Sequence, residues 1–293
     1  MDIAPDEIDV KPFNSPSPTE PPPARTHRGS VVSSPHALAA VQEENYDTSH
    51  RNRGTALIFN HVNFESNAKR EGSDKDRDEI KKELQQLGFD VRVFNDLKKQ
   101  ELLAKLDEVA KEDHTQSDCF VLVMMTHGQD GSLFAADKQY QIAELWEPFV
   151  GDACKTLIGK PKLFFVQACR GTKFDKGVKL TKIATDTVDA LSSSSQRMCV
   201  IPTMADVLVM YSAFDGHYSW RNPTHGSWFI QSLSIELNQH AHRKELLQLL
   251  TSVSRRVAYL YESNVPGNEQ MDGKKQMPCV VSMLTKALYF PRK

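Results

Sequence analysis

A succession of short apolar stretches, each followed by an amphipathic helical pattern or by a chemically active side chain, restricts this chain more than any other feature. Gly54 to Asn60 (GTALIFN) reads as a strand. Ile80, Leu84 and Leu87 then recur at helical spacing, with Ser73 placed to cap that helix and Gly88 to stop it. There follow a strand at Phe89 to Asn95 and a helix around Glu101 to Lys111 (Leu102, Leu106, Val109). Next come the buried strand Cys119 to Met125, a short connection, and the strand Lys162 to Val166. Strands that are apolar on both faces and alternate with helices belong in a parallel sheet covered on both sides. The pattern resumes with VLVMYSA (Val207 to Ala213), a helix near Ser227 to Gln239 and a longer one from Arg243 to Leu260. Leu246, Leu249, Leu250, Val253 and Val257 mark one face of the latter, and a last strand is expected at Pro278 to Leu284.

Two stretches fall outside this alternation. Eight of the fifteen prolines lie within residues 1 to 35, among Ser, Thr and charged residues. Such a segment buries too little apolar surface to offset the entropy of ordering it, which predicts a disordered leader over residues 1–46. Between Arg170 and Pro202 the periodicity disappears, and the stretch holds four consecutive serines, Ser192 to Ser195, with Asp186 and Asp189. A structureless loop of that length inside a compact domain points to function.

Composition narrows the partners. The 36 basic and 38 acidic side chains leave a formal charge of -2, so no overall field draws the chain to nucleic acid or to an anionic membrane. Five widely spaced cysteines, with no C-x-x-C pair and no His cluster at metal-ligand spacing, suit a reducing compartment and imply no metal or cofactor. The acidic amino terminus has no apolar signal core, and no apolar run approaches the roughly 20 residues that span a bilayer. A cytoplasmic protein is expected.

In open α/β sheets ligands bind beyond the carboxyl ends of the strands, and the unusual residues of this chain fall there. Arg70 follows the first strand, His127 the third, Cys169 the fourth, and Arg221 lies in the loop after the fifth. Taken singly, Cys169 reads as a small core residue, His127 as a structural histidine, Arg70 and Arg221 as solvated charges, and Trp220 and Trp228 as packing. Their joint placement argues for one site. A thiol and an imidazole are the minimum equipment of a cysteine hydrolase. Two arginines beside them suggest a carboxylate pocket, because planar guanidinium groups grip both oxygens of an Asp or Glu, and Gln167 adds a neutral donor.

Gln167-Ala168-Cys169-Arg170-Gly171 follows the strand directly, and Thr126-His127-Gly128 ends the strand upstream, with His127 and Cys169 42 residues apart. Further motifs are GKPKLFFVQACRG (Gly159 to Gly171), YSWRN (Tyr218 to Asn222), GSWFIQSL (Gly226 to Leu233) and KKQMPCVVSMLTKALYF (Lys274 to Phe290). Across roughly residues 46 to 293 the chain resembles an effector-type caspase, a family whose signature is Q-A-C-[RQG]-G with an upstream His.

The resemblance implies an α/β, caspase-like three-layer sandwich: a central, mostly parallel six-stranded sheet flanked by helices. It also implies an aspartate-specific cysteine endopeptidase that executes apoptosis. Cys169 would be the nucleophile and His127 the acid and base, with the amides of Gly128 and Cys169 binding the oxyanion. Arg70, Gln167 and Arg221 would bind the aspartate before the scissile bond. Ser219 to Asn222 would pair with the substrate backbone as an added strand, and Tyr218, Trp220 and Trp228 would line more distal pockets. No carboxylate or amide stands out as a third member of a triad, and none is assigned.

A caspase is also made as a zymogen, which accounts for the odd loop. Asp186, ending Ile183-Ala184-Thr185-Asp186, would be the site cut by an upstream initiator caspase, and Asp189 a second. Asp9, ending Asp6-Glu7-Ile8-Asp9, would mark self-removal of the first residues. The implied organisation is a prodomain over 1–46, a large subunit over 47–186, a linker over 187–202 and a small subunit over 203–293, with 47–293 folding as one catalytic domain. The implied partners are protein substrates carrying Asp, inhibitor-of-apoptosis proteins, and a second copy paired through the last strand in a homodimer. A relative without activity would lack the thiol, the imidazole or a pocket arginine, and none is missing here.

Overall fold

The structure is a computed structural model that describes residues 42–129, 131–177 and 202–293. Six strands form its central sheet: β1 (Thr55–Asn60), β2 (Asp90–Asn95), β3 (Phe120–Met125), β7 (Lys162–Gln167), β8 (Val207–Tyr211) and β11 (Cys279–Ser282). Their order is β11-β8-β7-β3-β1-β2, and every neighbouring pair is parallel except β11 with β8. Alternate residues of each strand enter two separate cores, as the period of two demands. Ala56, Ile58, Val121, Val123, Leu163, Phe165, Leu208 and Met210 face one layer with Ile80, Leu84, Leu233 and Leu249. Leu57, Phe59, Leu122, Met124, Phe164, Val166 and Val209 face the other with Leu102, Leu106 and Phe149. The three-layer arrangement expected from sequence is the one observed.

The helices are α1 (Ser73–Gln86), α2 (Lys99–Ala110), α3 (Trp228–His240) and α4 (Leu246–Leu260). Ser73 does not cap α1. Gly72 occupies the N-cap at φ 84°, and the Ser73 hydroxyl instead donates to Asn60 Oδ1 at 2.6 Å and accepts from Arg70 Nη1 at 2.8 Å. The last helix starts at Leu246 rather than Arg243, because the Glu245 carboxylate accepts from Leu247 N and Gln248 N and so terminates the helix there. The connection between β3 and β7 is not short. It holds a three-stranded meander, β4 (Gly128–Gln129), β5 (Ser132–Phe134) and β6 (Gln139–Gln141), and then 3-10 turns through Ile142–Leu157 that take the place of a crossover helix. A two-stranded ribbon, β9 (Arg221–Asn222) and β10 (Gly226–Ser227), completes the fold beside the N-terminus of α1.

Candidate active site

Parallel register aligns the strand ends. Asn60 is level with Met125, and Met125 with Gln167, so the residues that follow them emerge along one edge. The strand order reverses between β1 and β3, and the crevice at such a switch point is where α/β sheets bind ligands. A cleft of about 320 Å³ opens there, lined by Arg70, His127, Gln167, Cys169, Tyr218, Ser219, Trp220 and Arg221.

His127 is half-buried, tilts against Phe64 with ring centroids 4.8 Å apart, and places Nε2 2.8 Å from the Ala68 carbonyl oxygen. A carbonyl only accepts, so Nε2 carries the hydrogen and Nδ1 is the bare nitrogen of the neutral ring. Burial, and then the charges of Arg70 and Arg221, hold the imidazole below its ordinary pKa. The Cys169 thiol is pushed up by burial, against the opposing pull of the Ser219 N–H and the same two arginines. Its polar contacts are with Ser219, whose N–H donates to Sγ at 3.5 Å and whose carbonyl oxygen lies 3.8 Å away. No hydrogen bond joins Sγ to His127 among the described residues. Gly128 packs its backbone on this segment so closely that an added Cβ would come within 2.5 Å of the Cys169 carbonyl oxygen.

Arg70 is only 1% exposed, yet no carboxylate lies within ion-pair distance of it among the described residues. Its Nη1 donates to His61 O at 2.9 Å and to Ser73 Oγ at 2.8 Å, and among the described residues Nε and Nη2 have no partner. Burial and the neighbouring Arg221 push it down to about 9, so it is charged at neutral pH. Arg221 donates Nε to Glu71 O at 2.8 Å and likewise has no carboxylate partner. Gln167 donates Nε2 to Ser219 Oγ at 2.8 Å, while its buried Oε1 has no partner among the described residues.

An aromatic wall continues from this pocket. Phe174 stacks on Tyr218 at 4.5 Å and tilts against Trp220 at 5.9 Å, and Trp220, Trp228 and Tyr261 stack in series at 5.8 and 5.4 Å. Trp228 therefore stands behind Trp220 rather than on the cleft surface. Asn222 is exposed, and its Oδ1 accepts from Thr224 N and His225 N, building the turn of the ribbon. Asp9, Asp186 and Asp189 lie outside the described residues.

Several participants were not read from sequence. Ala68 acts through a backbone oxygen, which no side-chain pattern signals. Phe174 and Met271 also line the cleft; the first follows Cys169 by five residues and sits in the aperiodic stretch, a placement that could have flagged it. Gln276 accepts from Trp220 N at 2.6 Å and donates to Ser212 O at 2.7 Å, fixing the segment that carries Ser219.

Residues 53–289 match a family model described as the caspase domain. Caspase-1 of Drosophila melanogaster is 46% identical over 247 residues, 84% of this chain and 75% of that protein. Caspase-3 of Bos taurus is 41% identical over 251 residues, 85% of this chain and 88% of that protein. The crystal structure of caspase-1 from Spodoptera frugiperda superposes with a TM-score of 0.79 at 40% identity, covering 86% of this chain and 97% of that one. A thiol and an imidazole at the switch point of this sheet, two arginines beside them with no carboxylate contact among the described residues, and a family match spanning the whole sheet lead to one conclusion: the chain belongs to the caspase family of aspartate-specific cysteine proteases.

Proposed function

We propose that Cys169 is the nucleophile of this apoptotic protease and that His127 moves its proton. With the thiol raised and the imidazole lowered, the resting pair is neutral. As Sγ bonds to the substrate carbonyl carbon, the thiol proton passes to His127 Nδ1, and the backbone N–H groups of Gly128 and Cys169 receive the oxyanion. His127 then protonates the departing amine as the C–N bond breaks, and water releases the acyl group by the reverse transfers. The Ala68 carbonyl holds the ring in the tautomer this requires.

The observation that carries the aspartate specificity is a buried guanidinium with no carboxylate in contact among the described residues, Asp76 acting on it only from beyond ion-pair distance. An uncompensated charge in the interior is costly, so a site that keeps one is complete only when an anion enters. Arg70 and Arg221 supply the charge. Rotating the Gln167 amide preserves its bond to Ser219, with the hydroxyl now donating, and places N–H donors where Oε1 lacks a partner. The processed protein should cleave a DEVD-type peptide far faster than the same peptide ending in Asn. Equal rates would defeat the carboxylate pocket.

Beyond that pocket, Ser219 to Asn222 would receive the substrate as an added strand, with Tyr218 and Trp220 walling the next subsites, Trp228 backing them, and Phe174 and Met271 adding apolar surface. Asp186 is assigned as the activating cut by an upstream initiator caspase, Asp189 as a second cut and Asp9 as self-removal of the first residues. The cut after Asp186 sets the end of the large subunit, and the proposed organisation is a prodomain over 1–46, a large subunit over 47–186, a linker over 187–202 and a small subunit over 203–293. Hydrogen bonding of β8 to β7 supports assembly after cleavage, because the ladder ties the two sides of the linker together. Asp186→Ala should block two-chain maturation, and normal processing of that variant would move the site elsewhere. The free edge of β11, where Val281 is 42% exposed, supports pairing with a second copy. Inhibitor-of-apoptosis proteins are the regulators this reading implies. Among the described residues no helix is long and apolar enough to cross a membrane.

A further inference from the structure

Asp76 is an unexplained buried carboxylate close to this pocket. It lies in the first turn of α1, is 0% exposed, and has no cation within ion-pair distance among the described residues. Both its oxygens accept from the backbone N–H of Ser227, at 2.8 and 3.0 Å. Ser227 is the β10 residue directly opposite Arg221 in the ribbon and also the N-cap of α3. The contact is tight enough that a Cβ on Gly226 would fall 2.3 Å from Asp76 Oδ1. One turn earlier, on the same face of α1, Ser73 Oγ accepts from Arg70. The first turn of α1 is therefore a bracket. Ser73 grips the arginine that comes from before the linker, and Asp76 grips the ribbon that carries the arginine from after it.

We infer that Asp76 is a positioning residue for the aspartate pocket, setting the separation of Arg221 from Arg70 through its hydrogen bond to the Ser227 amide. Among the described residues Arg221 has one other anchor, its Nε bond to the Glu71 carbonyl, so the ribbon backbone decides where its guanidinium sits. A carboxylate gripped by two guanidinium groups tolerates little displacement of either. Burial raises the Asp76 carboxyl to about 7, against the opposing pull of its hydrogen bonds from Ser227 and, after them, of the charges of Arg70 and Arg221. The bond to Ser227 needs only an acceptor and survives protonation of the other oxygen.

This inference rests on the reading of Arg70 and Arg221 as the aspartate pocket, and the test separates the two. Processed wild type, Asp76→Ala and Asp76→Asn are compared on a DEVD-type peptide, alongside the rate at which iodoacetamide alkylates Cys169, a reaction that uses no carboxylate pocket. Asp76→Ala should raise KM at least tenfold, with kcat within about threefold and alkylation unchanged. Asp76→Asn, whose amide oxygen still accepts from Ser227, should restore KM to within threefold. Asp76→Ser, too short to reach Ser227, gives the same readout if the alanine variant does not fold. An unchanged KM in Asp76→Ala, or a fall in kcat and alkylation together, overturns the positioning role. If wild type itself cleaves the Asn-ended peptide equally well, the pocket reading fails instead.

Discussion

Two buried arginines at opposite ends of the same sheet meet opposite fates. Arg53, just before β1, is enclosed by the protein: Nη1 bonds to Asp118 at 2.9 Å, Nε to the Leu87 carbonyl and Nη2 to the Pro291 carbonyl. Asp118 also receives Lys293 at 2.7 Å and His50 at 3.2 Å. Arg70, just after β1, is as deeply buried but has two carbonyl or hydroxyl contacts and no carboxylate. At the amino edge the charge is satisfied and serves the fold. At the carboxyl edge it has no carboxylate contact among the described residues, and in the function proposed above the partner is the substrate aspartate.

The largest effect expected is from Cys169→Ala, which should lower cleavage of a DEVD-type peptide by about four orders of magnitude or more, read as initial rates of processed protein. Next comes Arg70→Met. Removing a buried charge that no carboxylate contacts among the described residues should cut kcat/KM for that peptide roughly a hundredfold to a thousandfold, as losing one partner of a desolvated charge pair does. Its melting temperature should hold or rise. A large drop in stability would show that Arg70 serves the fold, as Arg53 does.

Asp118→Asn is the converse, leaving Arg53 buried without a carboxylate. It should cost about 3–5 kcal/mol and lower Tm by roughly 10 °C in thermal unfolding, with KM of the surviving folded protein unchanged. A matching rise in KM would erase the distinction between the two ends.

The smallest effect concerns pH. With the Asp76 carboxyl raised to about 7, the folded chain holds a proton that the unfolded chain releases from about 3.9 upward. That contribution to stability is whole below about pH 4 and fades as pH rises through 7. Denaturant unfolding at pH 5 and 8 should show the slope in wild type and its loss in Asp76→Asn.

Much of this was legible because it is local. The strands are apolar runs, and α1 and α2 follow from the helical spacing of Ile80, Leu84 and Leu87 and of Leu102, Leu106 and Val109. Cys169 and His127 could be found because each follows a strand end. Ser73 misled because a serine before an apolar repeat is the usual cap, whereas here a tertiary partner, Arg70, competes for its hydroxyl. The meander and 3-10 turns between β3 and β7 were missed because 3-10 segments lack the 3.6-residue repeat.

The amino-acid sequence by itself determined the layered α/β architecture and which residues stand past the strand ends, since hydrophobic periodicity and turn chemistry act over a few positions. Only the tertiary structure decided which charges would find partners. Arg53 meets a carboxylate 65 residues away and Arg70 meets none, while Asp76 grips an amide 151 residues along the chain. Such pairings arise from strand order and packing, and nothing within the reach of a local pattern encodes them.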